Sequence, residues 1–337
     1  MTVLDATLRA LSLNLLVLVL AGMVAVLVAA MLAPLGPLSW WAGWAHRPAH
    51  MTAAPPAQPR PATAPAHYLV YLSGIGEVDA GTIGALELGY LRRLTAQLPD
   101  CVIVHDLFTY AVDNVGLTEE RWLGGFWRWV RYSRLARGRI AVFGNLINLI
   151  NLLQVLVSAD RRYGPLYSWG TAGVIARTLT AHGYRSGSGA PVTLIGYSGG
   201  AQIALGAARY LGSALGGPLP LQLIALGGMM SADPGLDSVE AVYQLAGTRD
   251  RVPGYGARYF PGRWPIARYS PWNRAHAAGK IHLIQVGPAH HHGRGGYFDP
   301  GLRADGRSLL DRSVETTVRL VTEMILRHGA ADPSNRP

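Results

Sequence analysis

Ser198 stands in the run Val192-Thr-Leu-Ile-Gly196-Tyr197-Ser198-Gly199-Gly200-Ala201, a Gly-x-Ser-x-Gly pattern between an apolar β-rich stretch and an alanine-rich one. A strand turning sharply into a helix leaves no room for side chains at 196 and 200. Glycine removes that clash, and the serine is left in strained backbone with its hydroxyl pointing outward, ready to act as a nucleophile. A plain strand–helix turn is the alternative. Two other groups of residues invite chemistry. His290, His291 and His292 are consecutive, but neighbours on an extended loop do not converge on one centre and no His-Glu-x-x-His spacing accompanies them, so a metal is not expected. Ser73-Gly74-Ile75-Gly76 is glycine-rich, yet a dinucleotide fingerprint needs a third glycine where Asp79 stands. Cys101 is the sole cysteine, which excludes an internal disulfide and a cysteine zinc site, and its apolar context suits a buried core thiol.

Short apolar runs alternating with helical spacing must position these residues. Tyr68–Leu72, Cys101–Val104, Val192–Ile195, Leu221–Leu226, Val242–Ala246 and Ile281–Val286 read as strands. Residues near 79–97, Ser168–His182, Ala201–Leu211 and Ser308–His328 read as helices. This alternation predicts an α/β domain over 67–328 with a mostly parallel, doubly wound sheet, each strand covered on both faces.

Set in that pattern, GYSGGA resembles the nucleophile elbow of the α/β-hydrolase superfamily, and of cutinases and lipase-like serine esterases within it. The resemblance implies an α/β-hydrolase fold and the chain order nucleophile, acid, histidine, each on the loop after a strand. Ser198 is then the nucleophile. Asp250, in Gly247-Thr-Arg-Asp250-Arg-Val-Pro253, is the expected acid, with Asp233 after the preceding strand as the other choice; a solvated Asp250 paired with Arg249 or Arg251 is the non-catalytic reading. The base falls among the three histidines, His291 first, then His292, with His290 left open. An oxyanion hole would take one backbone N–H from Gly199 and another from Gly74 or Ile75, although this loop lacks the His-Gly start common in lipases. Such machinery cleaves an ester or thioester through an acyl-enzyme and needs no cofactor. An acyltransferase would use the same residues, and a non-catalytic membrane- or partner-binding module could keep the same fold.

The rest of the chain points to a membrane. No charged side chain occurs from Ala10 to Ala45, and an apolar helix of about 20 residues crosses the hydrocarbon layer. Pro34 and Pro37 are expected to end it, and Trp40, Trp41 and Trp44 suit the headgroup region. Residues 1–47 therefore read as a single-pass anchor, and the Pro/Ala-rich stretch 48–66 as a semi-rigid linker holding the domain off the bilayer. Arg47 and Arg60 against Arg9 and Asp5 lean toward a cytoplasmic domain. The net charge of +10 favours an anionic surface; no nucleic-acid motif accompanies it, so nucleic acid is not an expected partner.

An insertion at 113–166 begins with aromatic and basic residues interleaved over 121–139, which suits a membrane surface or a packed lid helix. Residues 140–158 are uncharged, but Asn145, Asn148, Asn151 and Gln154 recur at i+3. A second crossing would separate strands of one sheet, so this segment reads as a cap over the site or an interfacial helix. A second insertion at 254–279, with Tyr255, Tyr259, Phe260, Trp264, Tyr269 and Trp272, would border the site and suit a lipophilic substrate, or else pack as a long loop. Residues 329–337 read as a disordered tail. Oligomeric state has no signature here.

Overall fold

A computed structural model describes residues 3–44, 65, 67–79, 81, 83–112, 125, 128–129 and 144–329. Almost all of the expected linker 48–66, most of the aromatic-basic stretch 121–139 and almost all of the C-terminal tail lie outside the described residues.

Six parallel strands form one sheet in the order β2-β1-β3-β4-β5-β6: β1 (His67–Leu72), β2 (Cys101–Val104), β3 (Val192–Tyr197), β4 (Leu221–Leu226), β5 (Ala241–Ala246) and β6 (Ile281–Gln285). Side chains alternate across a strand, so the sheet feeds two separate cores. Tyr68, Val70, Leu72, Val192, Leu194, Leu223 and Val242 face one layer of helices. That layer is α4 (Gly144–Ala159), α5 (Gly164–Ala181) and α6 (Gly200–Ala214). Leu69, Tyr71, Ile195, Ile224 and Leu245 face the other layer, α3 (Ala85–Gln97) and α9 (Leu309–Gly329). The chain is thus an α/β protein with helices on both faces of a parallel sheet. Complete burial holds for β1, β3 and β4. It fails at the edges: β2 is mostly half-buried and Leu283 of β6 is 66% exposed. An edge strand has a neighbour on one side only, which the apolar run by itself does not reveal.

The N-terminal helix α1 (Val3–Leu32) is followed by α2 (Leu35–Trp41). α1 stops at Leu32, just before Pro34 as expected, but helical structure resumes at once at Leu35. Pro34 caps α2 and Pro37 sits in its first turn, where a missing N–H costs nothing. The stretch Asn14–Trp41 is long and apolar enough to cross a membrane, with a mean hydropathy of 3.0. From Leu15 to Leu32 its described Leu, Val and Met side chains are exposed. α2 rests directly on α5: Trp40 meets Trp169 edge-on with ring centroids 5.3 Å apart. Two short helices, α7 (Val252–Tyr259) and α8 (Pro271–Ala277), occupy the second insertion.

Candidate active site

The turn after β3 is forced by its neighbours. A Cβ at Gly196 would lie 2.4 Å from the Ala201 Cα, and one at Gly200 would lie 2.5 Å from the carbonyl oxygens of both Leu72 and Ser73. Ser198, between them, has φ 55° and is the sole non-glycine residue with positive φ among the described residues. Such a conformation is costly for a side-chain-bearing residue and persists only where the surroundings over-determine it. Here the Ser198 N–H donates to Leu226 O of β4 at 3.0 Å, and the first turn of α6 begins at once.

Two more strand ends deliver the partners. Ser198 Oγ lies 2.8 Å from His291 Nε2, and His291 Nδ1 lies 2.9 Å from Asp250 Oδ2. The carboxylate can only accept, so Nδ1 carries the proton and Nε2 is free to accept from the serine hydroxyl. Asp250 follows β5 and its side chain is fully buried, while His291 keeps partial solvent contact. Burial alone would raise the Asp250 pKa. Hydrogen bonds from His291, from Tyr297 Oη at 2.7 Å and from the Val252 N–H at 2.9 Å outweigh it and hold the carboxyl below its ordinary range. Tyr297 is itself fixed by the Gly247 N–H at 2.9 Å. Tyr197 donates to His291 O at 2.6 Å and its ring stacks on the imidazole at 5.6 Å, which sets the histidine loop.

The other expected residues are placed elsewhere. His292 is exposed and meets His291 only edge-on, at 6.1 Å, so it is not the residue facing Ser198. The loop alternates direction, and His290 is turned outward too, its N–H donating to Gly295 O. Asp233 caps the turn Pro234–Asp237, accepting from the Gly235 N–H at 2.8 Å and from Gln202 at 3.3 Å. Burial, the largest influence, raises its pKa. Among the described residues, His, Cys, Asp and Glu nowhere gather in threes at metal-binding spacing.

The loop after β1 reaches Ser198 from the opposite side. A Cβ at Gly74 would lie 2.9 Å from the Tyr197 ring and 3.5 Å from Ser198 Cβ. The Ile75 side chain and Val155 of α4 close on Gly199, where a Cβ would meet them at 2.9 and 2.7 Å. Gly199 precedes the first turn of α6, so its N–H has no carbonyl within that helix. Three side-chain bonds tie the loop down. Tyr110 Oη donates to Ser73 O at 2.7 Å, and the Asn151 amide donates to Ile75 O at 2.8 Å and Glu77 O at 2.7 Å. Asn151 is fully buried, which explains one member of the polar stripe on α4: it faces the loop. Val155, one turn on, makes this helix a cover beside Gly199.

Tyr110, Asn151, Tyr197 and Tyr297 were not singled out as site residues by the sequence. Only Asn151 had a signal, its place in the i+3 stripe. In the second insertion, Trp272 is buried and stacked under Arg263, whose guanidinium carbon lies 3.5 Å from the ring centroid. Arg263 also donates to Met230 O at 3.0 Å. This part packs as a loop on the domain, while Tyr255, Tyr259, Trp264 and Tyr269 remain exposed.

Comparison with protein-family models gives no match. A search of curated proteins likewise finds none similar to the chain.

Proposed function

We propose that the chain is a membrane-anchored serine hydrolase of the α/β-hydrolase type, cleaving an ester or thioester of a lipophilic substrate. The observation that carries this reading is the relay from Ser198 through His291 to a buried Asp250, with Ser198 held at positive φ after a parallel strand. In the reaction, Ser198 Oγ attacks the carbonyl carbon while His291 Nε2 takes its proton. Asp250 keeps the imidazole in the required tautomer and stabilises the imidazolium. The tetrahedral oxyanion is received by the N–H groups of Gly199 and of Gly74 or Ile75. As the intermediate collapses, His291 returns the proton to the leaving alcohol or thiol. Water, deprotonated by the same histidine, then attacks the acyl-serine, releases the acid and regenerates Ser198. The apolar Asn14–Trp41 stretch supplies the anchor, and the arginine balance around it favours a cytoplasmic domain.

The test is labelling of the full chain with a fluorophosphonate. Wild type is expected to label, and Ser198→Ala to lose both the label and ester hydrolysis, by about 10⁶-fold in kcat. Folded wild-type protein that neither labels nor hydrolyses a panel of acyl esters would overturn the reading.

A further inference from the structure

The anchor and the site occupy the same end of the sheet. Ser198, Asp250 and His291 all follow C-terminal strand ends, as does the segment after β2. That segment supports the start of α5, where Tyr167 Oη donates to Thr109 O at 3.0 Å. A Cβ on Gly170, one turn further, would come within 2.8 Å of Val112 and 3.2 Å of the Trp40 ring. Thus α2, the first structure after the apolar helix, is seated beside the loop that carries Tyr110. On the other flank, Gln154 of α4 donates to Ala33 O at the end of the apolar helix, at 3.5 Å. The next residue, Val155, lies against Gly199.

The outer surface of this junction has the composition of a membrane interface. Trp41, Trp44, Leu156 and Trp169 are 60%, 78%, 44% and 51% exposed, and Arg161 and Arg162 are exposed in the turn joining α4 to α5. Tryptophan prefers headgroup depth, and each arginine near an anionic leaflet contributes about 1 kcal/mol. We infer that the surface formed by α2, the end of α4 and the start of α5 lies on an anionic bilayer, so that Ser198 draws its ester from the membrane surface rather than from bulk water. This rests on the hydrolase and anchor readings above and names the source of the substrate. A domain exposing tryptophans beside the end of a spanning helix cannot rotate away from the bilayer without breaking the Trp40–Trp169 contact. The surface therefore settles where the helix enters.

The experiment uses the full chain in nanodiscs of phosphatidylcholine with a minority of phosphatidylglycerol. With Cys101→Ser as background, an environment-sensitive dye is placed on Leu156→Cys, which leaves the Trp40–Trp169 contact intact, or on Leu326→Cys. Leu326 is 66% exposed on α9, whose last turn meets Glu240 at the N-terminal end of β5, the opposite end of the sheet. The dye at 156 is expected to shift blue and to be quenched by a shallow spin-labelled lipid, and the dye at 326 to do neither. Equal quenching at both positions, or none at 156, overturns the inference. In parallel, Arg161→Glu/Arg162→Glu is expected to slow cleavage of a long-chain fluorogenic ester dissolved in the bilayer by about tenfold or more. Cleavage of a short water-soluble nitrophenyl ester should be unchanged. Equal effects on both substrates count against bilayer supply. A chain that cleaves neither ester fails the hydrolase reading instead, while the dye measurement still decides the docking.

Discussion

Ser198 and the loop after β1 meet at one point from two sides, and they are held there by different means. The turn at 196–200 is fixed by main-chain contact: glycines at 196 and 200 press against backbone atoms of Ala201 within the turn and of Leu72 and Ser73 on the neighbouring strand end, and no side chain could enter. The loop at 73–77 is fixed by side chains from far along the chain, Tyr110 and Asn151, which grip three of its carbonyls. Steric exclusion is short-ranged and all-or-none. Hydrogen-bond clamps can be lost one at a time, each worth about 1 kcal/mol net and more when a buried carbonyl is left unpaired.

The largest effect should therefore come from the turn. Gly200→Ala drives a methyl group into Leu72 O and Ser73 O, moving both sides of the site at once. Ester turnover is expected to fall by about 10³-fold or more, with a loss of stability of about 1–3 kcal/mol measured by denaturant unfolding. A variant with normal stability and turnover would show that the turn has slack and would remove the steric half of the comparison.

Asn151→Leu tests the other half. The leucine matches the apolar helix but leaves Ile75 O and Glu77 O without their donor, and the loop is free to drift from Ser198. Turnover is expected to drop by about 10²-fold, the scale of one lost oxyanion donor. Acylation by a fluorophosphonate should slow as well, since phosphonylation also develops negative oxygen. Far-ultraviolet circular dichroism should remain that of wild type. If kcat is unchanged, the loop does not depend on its clamp.

Tyr110→Phe removes a single bond, to Ser73 O, and keeps the ring in its packing. A loss of about three- to tenfold in kcat is expected, with Asn151 still holding the rest of the loop. An effect larger than that of Asn151→Leu would reverse the assignment of the principal clamp.

The same distinction decides what could be read before the fold was known. The turn at 196–200 was legible because the glycines and the serine that signal it are adjacent in sequence, even though Leu72 and Ser73, against which Gly200 packs, are not. The order of Asp250 and His291 after it followed from strand ends and from resemblance. The choice among three histidines was not legible: only the alternation of the loop and the ring of Tyr197 turn His291 inward. Asp250 stood ahead of Asp233 by resemblance alone, since each follows a strand; the Gly235 N–H claims Asp233 and His291 claims Asp250. Asn151 was visible as part of a stripe, but its partners lie more than seventy positions away and nothing in local pattern links them. The seating of α2 on α5 was hidden for the same reason, since two tryptophans meet across most of the domain.

The smallest expected effect separates the two sides by pH. Behind the loop, Tyr71 Oη donates to Glu87 at 2.5 Å; burial pushes that carboxyl up to about 7, against the opposing effect of the Tyr71 bond. Burial likewise raises Glu77 well above its ordinary value, with the Glu87 charge adding to the shift. A carboxyl raised in the folded state favours folding while it is protonated. That contribution is complete below the ordinary value of 4.5 and disappears as pH climbs through about 7. On the turn side the sign is opposite: Asp250 is lowered, so its contribution stands above the ordinary value of 3.8 and is lost only as pH falls through its lower folded value. His67, at the far end of β1, is lowered to about 3 by burial, so its own contribution shrinks as pH falls below 6.5 and complicates the raw curve. Subtracting the melting temperatures of Glu87→Gln from those of wild type removes His67, which both proteins share. The glutamine retains an oxygen for Tyr71 but never ionises. The two proteins should melt together near pH 4, and the variant should melt higher by pH 8. Parallel curves across that range would mean that Glu87 ionises freely in the folded protein. The loop side would then lose nothing to Glu87 at high pH, and its contrast with Asp250 would rest on Glu77 alone.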